Sequence, residues 1–305
     1  MNKLKKLGKG LEDISYLFLS TDEENSFAEE PAAKEKKKDL IVPELSTKSI
    51  CLIGNYCDYR DAFLIVNLSF ALARLGMRIA VVDIDENLSC LNFFQGKKPR
   101  EERASIQETI IQEGPLGVKL IGLNPVLIAH LFQADKKTRL SLELDDVEKN
   151  VDLILLSIMP KDLENAMPLI NRQMRESLVL VSPDKHEMLN AYKIIKLMFL
   201  HNPLAKIGVI ITEIEHMYEI DAVYDKMARV VKKYLDKELY KYGFLFKLKQ
   251  DVGSEANIAS FYDADLMACI SNIAQIIILR LNLEKSESKQ KPLFKRMLTE
   301  FMNLR

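Results

Sequence analysis

Residues 48–94 read KSICLIGNYCDYRDAFLIVNLSFALARLGMRIAVVDIDENLSCLNFF. The short apolar run Ser49–Ile53 ends at Gly54, and a polar turn follows it. Apolar residues then recur at helical spacing from Phe63 to Leu75, and Gly76 stands where a left-handed C′ residue closes a helix. A second apolar run, Ile79–Val82, leads to Asp83-Ile84-Asp85. Strand, loop, helix, glycine, strand and acidic tip predict a βαβ unit, whose ligand crevice lies beyond the carboxyl ends of the strands.

The same residues resemble the MinD/ParA ATPases, which run roughly ANLAxALAxxGxRVLLIDxDxQxxNL after their phosphate loop. Asn67 matches the helix asparagine, Gly76 the glycine, and Asp83 and Asp85 the paired aspartates. Counting back from Asn67 lays the family's GKGGVGKTT over residues 55–63, NYCDYRDAF. A phosphate cradle needs glycines so that backbone N–H groups converge, a lysine for the β- and γ-phosphates, and a Ser or Thr for magnesium. Here Asp61 stands at the lysine, Ala62 at the hydroxyl and Tyr56 at the family's additional signature lysine. Gly54, Arg60, Asp61 and Ala62 therefore read as a degenerate phosphate loop.

The likeness continues along the chain. Residues 117–122 (GVKLIG) are similar to the family's GVxLIPGG strand, and Val151–Leu156 to its Walker B strand YDYIIID. Where that strand carries its carboxylate, this chain has Ser157, a degenerate Walker B. SLVLVSPDKHEMLNAYKIIKLM, residues 177–198, is similar to the MinD-like VLLVTTPEPTSLTDAYALIKLL. This resemblance points to the MinD and flagellar-number-regulator branch. Thr212 or Glu213 stands near the family's adenine-contacting Asn, and the Pro-x-Asp of its last strand is missing after Gly243. Asp83 and Asp85 are the positions left for a cofactor, as a magnesium or water-activating pair. With the lysine and Walker B acid gone, persistence as caps, structural groups or an interface is the favoured reading. No bound cofactor or metal is expected, and enzyme activity is not expected.

The resemblance covers residues 48–283, one α/β domain with a mostly parallel sheet flanked by helices. Helices are expected over 104–113, 127–132, 142–149, 221–239, 256–261 and 266–283, with a polar loop over 92–103. Before the domain, residues 1–20 (MNKLKKLGKGLEDISYLFLS) place Leu4, Leu7, Leu11 and Ile14 at helical spacing among lysines. The string Leu7-Gly8-Lys9-Gly10-Leu11 resembles the N-terminus of ParB-type partition proteins, which engages a ParA partner, and reads as a docking peptide. Residues 21–47, rich in Glu, Lys, Pro and Ala, read as a disordered linker.

Residues 284–292 read as a hinge and 293–305 as an amphipathic tail helix. Leu293, Phe294, Met297, Leu298, Phe301 and Met302 form one apolar face flanked by Lys291, Lys295, Arg296 and Arg305. That is the build of a helix lying on anionic membrane, as MinD-like proteins have. A terminal helix packing back on its own domain fits the same pattern.

Composition bounds the rest. The 305 residues carry 43 basic and 44 acidic side chains, so bulk charge gives no drive toward nucleic acid. Cys51, Cys57, Cys90 and Cys269 show no metal-ligand spacing, nor do His130, His186, His201 and His216. No apolar run approaches the ~20 residues of a membrane span, and no export signal is evident. A cytoplasmic, peripherally membrane-associated chain is expected. Its implied role is a catalytically degenerate adaptor that helps place a polar machine such as a flagellum or division site. A MinD/ParA-type ATPase or polar machinery is the protein partner the resemblance implies, with no specific nucleic acid and with dimer formation open. A working ATPase with a non-standard loop and a purely soluble adaptor are the rival readings.

Overall fold

The computed structural model describes residues 48–55, 59–84, 88–94, 111–123, 137–159, 174, 176–247, 263–281 and 294. Eight strands form one sheet: β1 (Ser49–Ile53), β2 (Ile79–Asp83), β3 (Ile111–Glu113), β4 (Lys119–Gly122), β5 (Leu153–Ile158), β6 (Glu176–Val181), β7 (Lys206–Ile214) and β8 (Leu239–Phe246). Their order is β3-β4-β2-β5-β1-β6-β7-β8, parallel throughout except for β3. The apolar runs Ile50–Ile53, Ile79–Val82, Leu153–Leu156, Leu178–Val181 and Val209–Ile211, expected to share one largely parallel sheet, do so. Parallel strands covered on both faces read as continuous apolar runs, and β1, β2, β5 and β6 are buried at every position.

Six α-helices are described: α1 (Tyr59–Arg74), α2 (Ser89–Phe94), α3 (Lys137–Asn150), α4 (Lys185–His201), α5 (Tyr218–Leu235) and α6 (Ala264–Leu281). One face of the sheet packs Cys51, Ala80, Ile154 and Val179 beneath α3, α4 and α5. The other packs Ile50, Val81, Leu155 and Ile210 beneath α1, α2 and α6. Helix α1 is apolar nearly all round because it lies between the sheet and both α2 and α6. Its two central polar side chains are satisfied within the helix: Asn67 Nδ2 donates to Phe63 O at 2.8 Å and Ser69 Oγ to Val66 O at 2.6 Å. Gly76 follows with φ +87°, the left-handed stop expected of it.

Three expectations need correction. Residues 111–113, assigned to a helix, pair antiparallel with β4 as an edge strand, because Gly114 and Pro115 turn the chain into a short hairpin. Residues 92–94, assigned to a loop, belong to α2, whose N-terminus is capped from β2. Phe294, assigned to the lipid-facing stripe, is fully buried in the α3–α5 face of the core. Its backbone N–H donates to Glu148 Oε2 of α3 at 3.0 Å. A side chain enclosed by its own domain cannot at the same time contact lipid. Leu293, Met297, Leu298, Phe301 and Met302 lie outside the described residues, as do the expected helices over 127–132 and 256–261 and the segment 1–47.

Helix α6 is long and apolar enough to cross a membrane by composition. Its buried residues, including Ile270, Ile273 and Ile277, instead pack on β8 and α1, so its apolarity serves the core.

Two predictions follow from burial. Phe294→Ala should lower unfolding free energy by about 3–5 kcal/mol, the usual loss for a large core aromatic. Urea denaturation reads this, and an unchanged midpoint would contradict the core position. At the opposite end of the sheet from the strand tips, Glu176 is 5% exposed, and its Oε2 accepts no hydrogen bond among the described residues. Arg280 Nε lies 3.9 Å away and donates to Tyr242 Oη instead. Burial raises the Glu176 carboxyl above its ordinary value of 4.5, against the pull of Arg280 and Lys206. A raised acid favours folding while protonated and loses that contribution as pH climbs through the shifted range. Glu176→Gln should therefore gain stability relative to the native protein as pH rises from about 4.5 to 7. Parallel pH profiles for the two proteins would contradict the assignment.

Candidate functional site

The carboxyl ends of β1, β2 and β5 lie side by side, with Ser157 in register with both Leu52 and Asp83. This is the crevice in which an open parallel sheet holds its ligands. The structure brings Gly54, Asp61, Ala62, Asp83 and Ser157 to it; Asp85 lies outside the described residues.

Gly54 N donates to Ile158 O at 3.1 Å, tying the end of β1 to β5. The chain then turns toward α1, where Asp61 occupies the first helical turn with no exposed surface. The Asp61 carboxyl folds back against the turn. Its Oδ1 accepts a long 3.4 Å hydrogen bond from Asn55 N, and a Cβ built on Gly54 would meet its Oδ2 at 2.1 Å. Glycine is required at 54 by that close approach. The side chain lies against the backbone at the mouth of a helix N-terminus, where the helix dipole and free N–H groups favour an anion. An internal carboxyl thus lies in this turn. Asn55 Nδ2 donates to Glu187 O at 3.2 Å, drawing the start of α4 over the same turn.

The other strand tips are equally committed to internal contacts. Asp83 is 2% exposed, and its Oδ2 accepts from Cys90 N at 2.8 Å and Leu91 N at 3.3 Å, the role of a cap for α2. The Cys90 thiol donates to Ser157 Oγ at 3.3 Å, and Ser157 has no exposed surface. Ala62 is buried in the α1 core and supplies no hydroxyl. Cys51, in mid-strand, has its thiol pushed far above the ordinary range by burial and is no nucleophile. Among the described residues no group of three or more His, Cys, Asp or Glu side chains is placed to hold a metal.

Beside this filled turn is a shallow cleft lined by Arg60, Phe63, Leu180, Thr212, Glu213 and Phe246. Arg60 and Glu213 face each other across it at 3.9 Å. Glu213 holds a left-handed φ of 59°, an unusual conformation for this residue type. Sequence reading placed Thr212 and Glu213 near a base-binding position but missed their link to Arg60. It also missed Asn55 and Glu187, whose roles depend on contacts far apart in sequence.

No family model matches the chain. Antiactivator FleN of Pseudomonas aeruginosa is 24% identical over 196 residues, which is 59% of this chain and 66% of FleN, just under two thirds of it. Among solved structures, the MinC:MinD cell division protein complex of Aquifex aeolicus shares 18% identity with a TM-score of 0.50. That likeness covers 81% of this chain and 100% of the other. The structure of pNOB8 ParA shares 13% identity at a TM-score of 0.50, covering 78% and 100%.

The geometry predicts a stability effect at Asp61. Asp61→Ala removes a buried acceptor from the turn and should destabilise the protein by about 1–3 kcal/mol, the usual penalty for orphaning buried donors. An effect below ~0.5 kcal/mol in chemical denaturation, as for a surface substitution, would show that the carboxyl is not holding the turn.

Proposed function

From a chain that has the fold of the MinD/ParA P-loop ATPases and is related in sequence to an antiactivator, we propose a regulatory adaptor that works without ATP turnover. Its task is to dock partners in the placing of a polar or membrane-associated machine, such as a flagellum or a division site. The observation that carries this reading is the Asp61 carboxyl lying in the β1–α1 turn against Gly54 and Asn55. A magnesium triphosphate does not fit the residues present. Its negative charge would meet a buried carboxyl where a lysine is needed, and like charges about 4 Å apart repel by ~4 kcal/mol at the effective dielectric of a protein surface. Ala62 and Ser157 supply neither a magnesium hydroxyl nor a carboxylate. Asp83 already spends one oxygen on the α2 N-terminus.

Isothermal calorimetry of the full chain with Mg-ATP tests this directly, and no saturable binding is expected at micromolar concentrations. Asp61→Lys alone should not create binding, because the non-glycine residues around it still prevent convergence of N–H groups. A tight, magnesium-dependent site in the native protein would instead establish the working-ATPase reading.

The adaptor's second attachment is an anionic membrane surface, met by the apolar stripe beyond the anchored Phe294. Each flanking base adds ~1 kcal/mol on anionic lipid, a contribution that salt screens. Phe301→Glu with Met302→Glu should abolish sedimentation with phosphatidylserine vesicles. A native protein that stays in the supernatant at low salt would favour the soluble adaptor.

A further inference from the structure

The connection from β7 to α5 presents an exposed apolar and aromatic tip at the carboxyl edge of the sheet. Met217 is 60% and Tyr218 73% exposed. Side chains left in water are ordinarily free to move, but this tip is built. Glu219 Oε2 accepts from Glu215 N at 2.8 Å and His216 N at 2.9 Å. Lys247, just beyond β8, pairs with the Glu215 carboxylate, and its backbone N–H donates to Ile214 O at 2.9 Å. The His216 and Tyr218 rings stack at 5.5 Å and 13°. An aromatic side chain stacked on a neighbour over a hydrogen-bonded turn has less freedom to lose on binding than an unsupported one, a property that favours an interface hot spot.

The charge around the tip has a definite sign. Around the carboxyl ends of β6 and β7 and the amino end of α6, the described residues include seven acids: Asp184, Glu187, Glu213, Glu215, Glu219, Asp263 and Asp265. Arg60, Lys185 and Lys247 are the bases described at that edge. An acidic rim around an aromatic tip selects a segment that is basic and apolar together. The chain carries one in residues 1–11, MNKLKKLGKGL, which interleave four lysines with three leucines and hold no acid before Glu12.

We propose that this edge is a docking surface for the chain's own N-terminal segment, with Leu4 and Leu7 against Met217 and Tyr218 and Lys3, Lys5, Lys6 and Lys9 toward the acidic rim. Residues 12–47 connect the segment to β1, and at ~3.3 Å per extended residue they span on the order of 100 Å, ample for an intramolecular reach. The inference goes beyond the adaptor reading and stands whether or not ATP binds.

Zero-length carbodiimide coupling of the full chain, followed by peptide mass mapping of the monomer fraction, tests it. The expected product joins Lys3, Lys5, Lys6 or Lys9 to Glu213, Glu215 or Glu219. Met217→Ser with Tyr218→Ala should reduce that yield by about tenfold, equivalent to ~1.4 kcal/mol. Both side chains are in solvent, and an unchanged thermal melt would confirm that the fold is intact. Raising salt to 0.5 M should reduce the yield as well, since the rim contacts are exposed. Coupling of these lysines to acids elsewhere, or a yield unaffected by the double substitution, would overturn the proposal. So would coupling confined to covalent dimers, which would assign the edge to a second copy's segment.

Discussion

The contact on which the site depends is that of the Asp61 carboxyl with the backbone of Gly54 and Asn55. The start of a helix at the tip of a parallel sheet favours negative charge through the helix dipole. In this chain a carboxyl from the first turn of the helix itself, that of Asp61, lies there. That choice fixes Gly54, because any Cβ there would collide with the carboxyl. It also leaves β1, β2 and β5 free to keep the geometry of a nucleotide-binding sheet while their tips engage one another. Asp83 caps α2, Ser157 accepts from Cys90, and Asn55 reaches to α4.

Much of the fold was legible because parallel strands buried on both faces leave unbroken apolar runs. Ile50–Ile53, Ile79–Val82 and Leu153–Leu156 could be placed from the sequence without knowing their neighbours. Gly76 was legible for a similarly local reason, since a helix stop at positive φ favours glycine. What could not be read was non-local. Ile111–Glu113 continues an apolar helical spacing, and only pairing with β4 makes it a strand. The SCLNFF segment lacks the length to register as a helix, and its cap comes from Asp83 seven residues before Cys90. Phe294 shows the limit of amphipathic patterns: the same spacing serves a lipid surface or a core, and only the enclosing neighbours decide.

At the site, the placement of Asp61 just after β1 and of Ser157 on β5 was readable from the apolar runs around them. That the Asp61 carboxyl would fold into the turn was not, because the direction of a side chain depends on the backbone it meets. Charge behaves likewise. A balance of 43 bases against 44 acids hides an edge where, among the described residues, acids outnumber bases around an exposed aromatic tip. Topology, by gathering the connections after β6, β7 and β8 at one end of the sheet, creates that asymmetry.

The most direct measurement is a crystal structure of the protein grown with millimolar Mg-AMPPNP. The account predicts a β1–α1 turn holding the Asp61 carboxyl, with Asn55 N donating to it and no triphosphate density at the strand tips. A triphosphate seated in that turn, with Asp61 swung out and a magnesium ion beside Asp83, would contradict it.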